Sequence, residues 1–249
     1  MIFAALALAP GLMLGSFLNV VAARVPLHRS VVSPGSACMT CGHELAWWEN
    51  VPLLSYAALR GRCRSCSEHI PLRYPAVELV SALLVAGCVW KFGLHGEALL
   101  ASFFCLALVA VSATDLEHRI IPNRIVIPAA AVVLVAQTAL RPSPEWAIAA
   151  FAASGALFLA ALAYPAGMGM GDVKLALLLG AMLGRTVPIA ILLGMIVALV
   201  PAFVMLARHG SKARKMGIPL GPFLAVGAVV ALFAALFAGH PLLHLYLHH

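Results

Sequence analysis

The chain has 249 residues, 63% of them hydrophobic and only 10% charged, with a mean hydropathy of +1.02. A soluble domain carries about 25% charged residues, so the composition excludes an ordinary soluble globule and points to a polytopic membrane protein. The net charge of +7 does not make nucleic acid a partner: no basic helix or basic–aromatic motif is present, and cytoplasmic loops of membrane proteins collect Lys and Arg in any case.

Residues 2–22 form the first apolar segment, long enough to cross a bilayer and broken by Pro10, Gly11, Gly15 and Asn19. It lacks the basic start of a secretory signal, so a retained span is expected. The stretch Arg24 to Arg73 follows, with six arginines and two Cys-x-x-Cys pairs. Its prolines, glycines and Trp47-Trp48 predict loops and short strands, and a core this small needs a staple. Cys38 and Cys41, then 21 intervening residues, then Cys63 and Cys66 match a closed four-thiolate zinc site. Disulfides would require an oxidising compartment. His43 and His69 read as exposed loop histidines. Cys88 and Cys105, alone in apolar runs, read as small buried thiols.

Beyond Pro75 the chain is nearly all apolar, in segments near 76–92, 98–114, 124–140, 146–164, 173–183, 186–206 and 220–238. The expected fold is therefore an all-α polytopic membrane protein of about eight transmembrane helices. Residues 1–22 form the first helix, 23–75 a cytoplasmic zinc domain and 76–249 a seven-helix membrane domain. No internal repeat is evident. With the Arg24–Arg73 stretch inside and the spans alternating, thirteen Lys and Arg fall inside and three outside, so both termini should face outward. Residues 173–183 are the awkward member: as a helix they cover about 17 Å against a core near 30 Å.

Two aspartates stand out among nine acidic residues. Asp115 ends the third apolar segment, and Asp172 opens the sixth within Gly167-Met168-Gly169-Met170-Gly171-Asp172-Val173-Lys174. The charge rule puts both at cytoplasmic ends of spans. A carboxylate near hydrocarbon is costly and functional by default. Two together share a proton and titrate as a pair, which suits acid–base attack by water on a peptide carbonyl. On these residues alone, solvated helix-capping acids and a proton or ion pathway stay open as well. Gly169 and Gly171 allow a backbone to approach closely or serve ordinary helix packing. Lys174 either steadies a carboxylate or substrate or lies as an interfacial lysine. Glu117 reads as solvated, Glu78 as an interfacial acid with Arg73 within reach, and Asn123 as a helix cap. Arg208–Lys215 reads as a lipid anchor, and His240, His244, His248 and His249 as tail histidines.

Several blocks resemble the bacterial type IV prepilin peptidases, in family order. They are Gly15-Ser16-Phe17-Leu18-Asn19-Val20-Val21 with Arg24-Val25-Pro26, the two Cys-x-x-Cys pairs, and Arg73-Tyr74-Pro75-Ala76-Val77-Glu78. Asp115-Leu116-Glu117-His118-Arg119-Ile120-Ile121-Pro122-Asn123, Gly169-Met170-Gly171-Asp172-Val173-Lys174-Leu175 and Ile218-Pro219-Leu220-Gly221-Pro222-Phe223 complete the set. The family usually has proline after the first cysteine, where this chain has Met39. The resemblance implies an intramembrane aspartic peptidase of the bacterial inner membrane that removes the basic leader of prepilins and pseudopilins. Asp115 and Asp172 are its implied catalytic pair, with Gly169, Gly171 and Lys174 in support. It also implies N-methylation of the new N-terminus with S-adenosylmethionine, which no residue pattern here supports by itself. Expected partners are prepilin-like chains and membrane lipid, and the oligomeric state is not fixed. A proton-coupled transporter and a non-enzymatic assembly factor are the rival readings.

Overall fold

The computed structural model describes residues 2–164, 168–210 and 218–234. The chain divides into two compact units, Met1–His118 and Arg119–His249. Among the described residues the fold is all-helical, with only two isolated β-bridges.

In the first unit, α1 (Ile2–Leu6) and α2 (Leu8–Arg24) run as one apolar stretch into the cysteine region. That region has little regular structure: a 3-10 turn at Trp47–Asn50 and the five-residue α3 (Leu54–Ala58). The expected short strands are reduced to the bridges Ala37↔Glu44 and Arg62↔His69. α4 (Arg73–Phe92) and α5 (Gly96–His118) complete the unit. Gly93 ends α4 at φ +69, and Arg119 follows α5 at φ +54. α2 and α4 touch through small residues. A Cβ at Gly11 would meet Ala82 Cα at 2.7 Å, and one at Gly15 would meet Glu78 Cα at 2.7 Å. Lipid supplies no hydrophobic drive between helices, so such close backbone contact is what holds them.

In the second unit, Pro122 starts α6 (Asn123–Leu140), and α7 (Glu145–Ala163) follows after a short turn. α8 (Met170–Leu183) packs against α6 and α7. A 3-10 turn at Gly184–Thr186 then leads into α9 (Val187–His209), which packs on α10 (Gly221–Ala234). Gly227 permits that last contact: a Cβ there would lie 2.1 Å from the Ala190 carbonyl oxygen.

Among the described residues six stretches are long and apolar enough to cross a membrane, and the chain is a polytopic membrane protein. One of them, Met170–Arg208, has 39 residues, about twice what a hydrocarbon core of roughly 30 Å requires. The eight expected crossings would need this stretch to cross twice and the 14-residue α10 to cross once. The short segment that looked awkward in sequence is α8, and it is sheathed in protein. Val173, Leu175, Ala176, Leu178, Leu179 and Ala181 are all buried. A helix enclosed in this way need not match the lipid in length.

Candidate metal centre and candidate catalytic carboxylates

The two Cys-x-x-Cys pairs form matching knuckles. Cys38 N–H donates to the His43 carbonyl at 2.9 Å and Gly42 N–H to the Cys38 carbonyl at 3.0 Å. In the second knuckle Cys63 N–H donates to the Glu68 carbonyl at 2.8 Å and Ser67 N–H to the Cys63 carbonyl at 2.9 Å. The residue after each second cysteine is left-handed, Gly42 at φ +72 and Ser67 at φ +59. The cysteine region thus contains a local structural repeat. Its sequence signal was a small residue after each Cys-x-x-Cys, too short to register as a repeat.

The knuckles bring Cys38, Cys41, Cys63 and Cys66 together, all four sulfurs within 4.8 Å of one another. Cys38 and Cys66 Sγ are 3.8 Å apart, and Cys41 and Cys63 Sγ 3.9 Å. A tetrahedral thiolate site with bonds near 2.3 Å has edges of about 3.8 Å, so the four thiols fit a metal ion. Backbone N–H groups of Cys41 and Thr40 pull the Cys38 thiol down to about 6. The Glu68 N–H favours the Cys66 thiolate, but burial and the neighbouring thiols Cys41, Cys63 and Cys38 outweigh it and push Cys66 up to about 12. Four sulfurs this close resist full ionisation without a cation.

His69 is exposed, as expected. His43 is half-buried, and its Nε2 lies 3.3 Å from Glu49 Oε2. The same oxygen accepts the Ala46 N–H at 2.8 Å. This N–H first, then His43 and Arg64, hold the Glu49 carboxyl below its usual range. Glu49 was not singled out in sequence; an acid among loop arginines carries no distinguishing pattern.

Asp115 lies in the last turns of α5 and is 5% exposed. Beside it Thr114 is fully buried, its hydroxyl donating to the Val111 carbonyl at 2.8 Å. Glu117 is exposed, as expected, and Arg73 Nη1 pairs with its Oε1 at 2.8 Å. Arg73 thus pairs with Glu117 and not with Glu78. Glu78 is buried, and its Oε2 accepts the Leu53 N–H at 2.9 Å. Asn19 Nδ2 donates to the Tyr74 carbonyl at 3.1 Å. The ends of α2, α4 and α5 are thus laced together beside Asp115.

In the second unit Asp172 is 7% exposed and sits in the first turn of α8. Gly169 is the N-cap residue, and Asp172 reaches back so that its Oδ2 accepts the Gly169 N–H at 3.1 Å. This is the carboxylate half of a capping box. The room beside Gly171 is taken by the chain itself: a Cβ there would meet Ile121 Cβ at 2.8 Å. Lys174 Nζ donates to Asn123 Oδ1 at 2.8 Å. Asn123 therefore binds Lys174, and the N-cap of α6 is Pro122. Gly167, the tail histidines and Lys212, Arg214 and Lys215 lie outside the described residues.

Residues 10–92 match the family model described as the bacterial peptidase A24 N-terminal domain, and residues 102–203 that of the type IV leader peptidase family. Three curated relatives carry the name prepilin leader peptidase/N-methyltransferase. The protein of Burkholderia pseudomallei strain 1026b is 37% identical, covering 92% of this chain and 84% of its own length. That of Bacillus subtilis strain 168 is 36% identical over 89% and 90%. That of Pseudomonas aeruginosa is 34% identical over 89% and 87%. No solved structure matches the chain significantly.

Proposed function

Because the chain belongs to the type IV leader peptidase family and is an enzyme of prepilin processing, we propose that it cuts prepilin leaders with Asp115 and Asp172 as its acid–base pair. What supports the reading is that both aspartates are buried at helix ends in a chain with few acids.

The chemistry needs one proton shared between two carboxylates. The ionised aspartate takes a proton from water as the water oxygen bonds to the scissile carbonyl carbon. The protonated one donates to the carbonyl oxygen. Collapse breaks the carbon–nitrogen bond: the proton gained from water passes to the leaving amine, a hydroxyl proton of the diol returns to the other aspartate, and no covalent enzyme intermediate forms. Gly169 anchors the Asp172 carboxylate through its N–H. Gly171 and Lys174 fix the turn against Ile121 and Asn123.

The metal in this reading is zinc, held by Cys38, Cys41, Cys63 and Cys66. Four thiolates close the shell, so the ion supplies structure and no open coordination site. The protein lies in the bacterial inner membrane with eight crossings, the cysteine domain in the cytoplasm and both termini outside, as the Lys and Arg distribution directs. After cleavage the new N-terminus is methylated, the second activity in the relatives' name. Purified protein incubated with a prepilin and S-adenosylmethionine tests both activities. Leader loss and gain of one methyl group appear as separate mass changes, and an intact prepilin would refute the peptidase.

A further inference from the structure

Within the cysteine region, residues 45–59 differ from their surroundings. The stretch from Leu45 to Leu59 has a single charged residue, Glu49, in a domain with six arginines between Arg24 and Arg73. Glu49 is turned inward: it is buried, and its Oε2 accepts the Ala46 N–H at 2.8 Å. What faces outward is apolar. Trp47 is largely exposed and Leu54 is 70% exposed. On α3, Leu54, Ala57 and Ala58 are all exposed, and their i, i+3, i+4 spacing makes them one face of the helix. The other side of α3 is tied down, with the Tyr56 hydroxyl donating to the Ile70 carbonyl at 3.3 Å. Directly after α3, Arg60, Arg62 and Arg64 are exposed, and Arg64 lies 4.8 Å over the Trp48 ring. The exposed acids of the domain are Glu44 and Glu68, so positive charge dominates.

One bond fixes the level of this face. Leu53 N–H donates to Glu78 Oε2 at 2.9 Å, and Glu78 is the sixth residue of α4, a helix long and apolar enough to span a membrane. At about 1.5 Å per residue, Leu53 is held roughly 8 Å along α4 from its first residue. The headgroup zone outside the hydrocarbon is about 5–8 Å deep on each side, and interfacial helices bury an apolar face about 5–10 Å into that boundary. An apolar face held at this level meets lipid. Tryptophan is enriched at such interfaces, and clustered arginines beside them are the complement of anionic headgroups. We propose that residues 47–58 are a membrane-surface anchor. Trp47 and the Leu54, Ala57 and Ala58 face lie between headgroups and acyl chains, while Arg60, Arg62 and Arg64 bind anionic lipid headgroups. The four-cysteine site then rests on the bilayer instead of being held only by the ends of two spans.

The test uses metal-loaded full-length protein in nanodiscs of phosphatidylcholine brominated near the carbonyl end of its acyl chains, with or without phosphatidylglycerol. The fluorescence difference between wild type and Trp47→Phe isolates Trp47. In discs containing phosphatidylglycerol, the bromines should quench Trp47 by at least about half, and iodide in the buffer should leave it unquenched. Each arginine near an anionic surface is worth roughly fivefold in association. Combining Arg60→Gln, Arg62→Gln and Arg64→Gln, or omitting phosphatidylglycerol, should therefore lower bromine quenching at least about threefold. Leu54→Glu, which keeps all three arginines, should also release Trp47 to iodide. Metal content and thermal midpoint confirm that each variant folds. Iodide quenching of wild-type Trp47 without bromine quenching overturns the anchor. So does protection from both quenchers, which would place a second protein chain on the face. Bromine quenching that is equal with and without phosphatidylglycerol and unaltered by the arginine substitutions overturns the assignment of anionic lipid.

Discussion

The knuckles around the four cysteines and the turn that carries Asp172 both present polar groups, yet they are supported in different ways. The knuckles have almost no core of their own. Of their thiols only Cys63 is buried, and Trp47 nearby is 82% exposed. Their shape comes from backbone hydrogen bonds and, when loaded, from the ion. The Asp172 turn opens α8, most of whose side chains are buried among α6 and α7. The first region can be dismantled by taking one ligand away. The second can be dismantled only by disturbing helices.

Catalysis should separate the two regions most sharply. Asp115→Asn and Asp172→Asn should each lower leader removal by at least about a thousandfold, with metal content and helix content unchanged. Cleavage within tenfold of wild type by either variant would sink the pair. Metal loss comes next. Chelation or Cys63→Ser should expose amides of residues 36–70 to hydrogen exchange, because structural zinc folds such domains outright, while α6–α9 keep their protection. Loss of protection in both regions together would erase the contrast. Packing is the third lever: Gly227→Leu forces a side chain against the Ala190 carbonyl and should cost about 1–3 kcal/mol. A lower thermal midpoint with full metal occupancy checks it.

A smaller effect is expected from Lys174→Met, which removes the bond to Asn123. Leader removal should fall about threefold to tenfold, read in kcat with little change in KM, and Lys174→Arg should restore part of it. The smallest effect concerns pH in the metal-free protein. The Cys38 thiol, lowered to about 6 from an ordinary 9.0, contributes stability in full above about pH 9 and loses it as pH falls through 6. Cys66, raised to about 12, contributes in full below pH 9 and loses it only as pH rises through 12. Between pH 6 and 9 only the Cys38 contribution varies. The denaturant midpoint reported by Trp47 and Trp48 fluorescence should therefore rise across that window, and a falling midpoint would contradict the assignment.

The cysteine cluster was legible in sequence because ligand spacing is local: two short loops fix four atoms. The helical class was legible because an apolar run of bilayer length has few other uses. The neighbours of the aspartates were not. Lys174 meets Asn123 and Arg73 meets Glu117 across helices far apart in the chain, and no periodicity encodes such pairings. Gly171 carried two readings, close backbone approach and ordinary packing. Glycine advertises room, but sequence does not say who occupies it, and here the occupant is Ile121. The shortness of residues 173–183 was visible, but which helices would enclose them was not.

The bond from Leu53 N–H to Glu78 has a mechanical meaning. Leu53 sits at φ +58, a conformation unfavourable for a leucine, and the Glu78 carboxylate fastens that kinked point to α4. Five residues earlier on α4, Arg73 grips Glu117, two residues beyond Asp115. The cysteine domain is thereby coupled through two polar fastenings and one stiff rod to the end of α5. The loops and the end of α5 are thus joined through α4, one fastening at each end of a helical turn and a half.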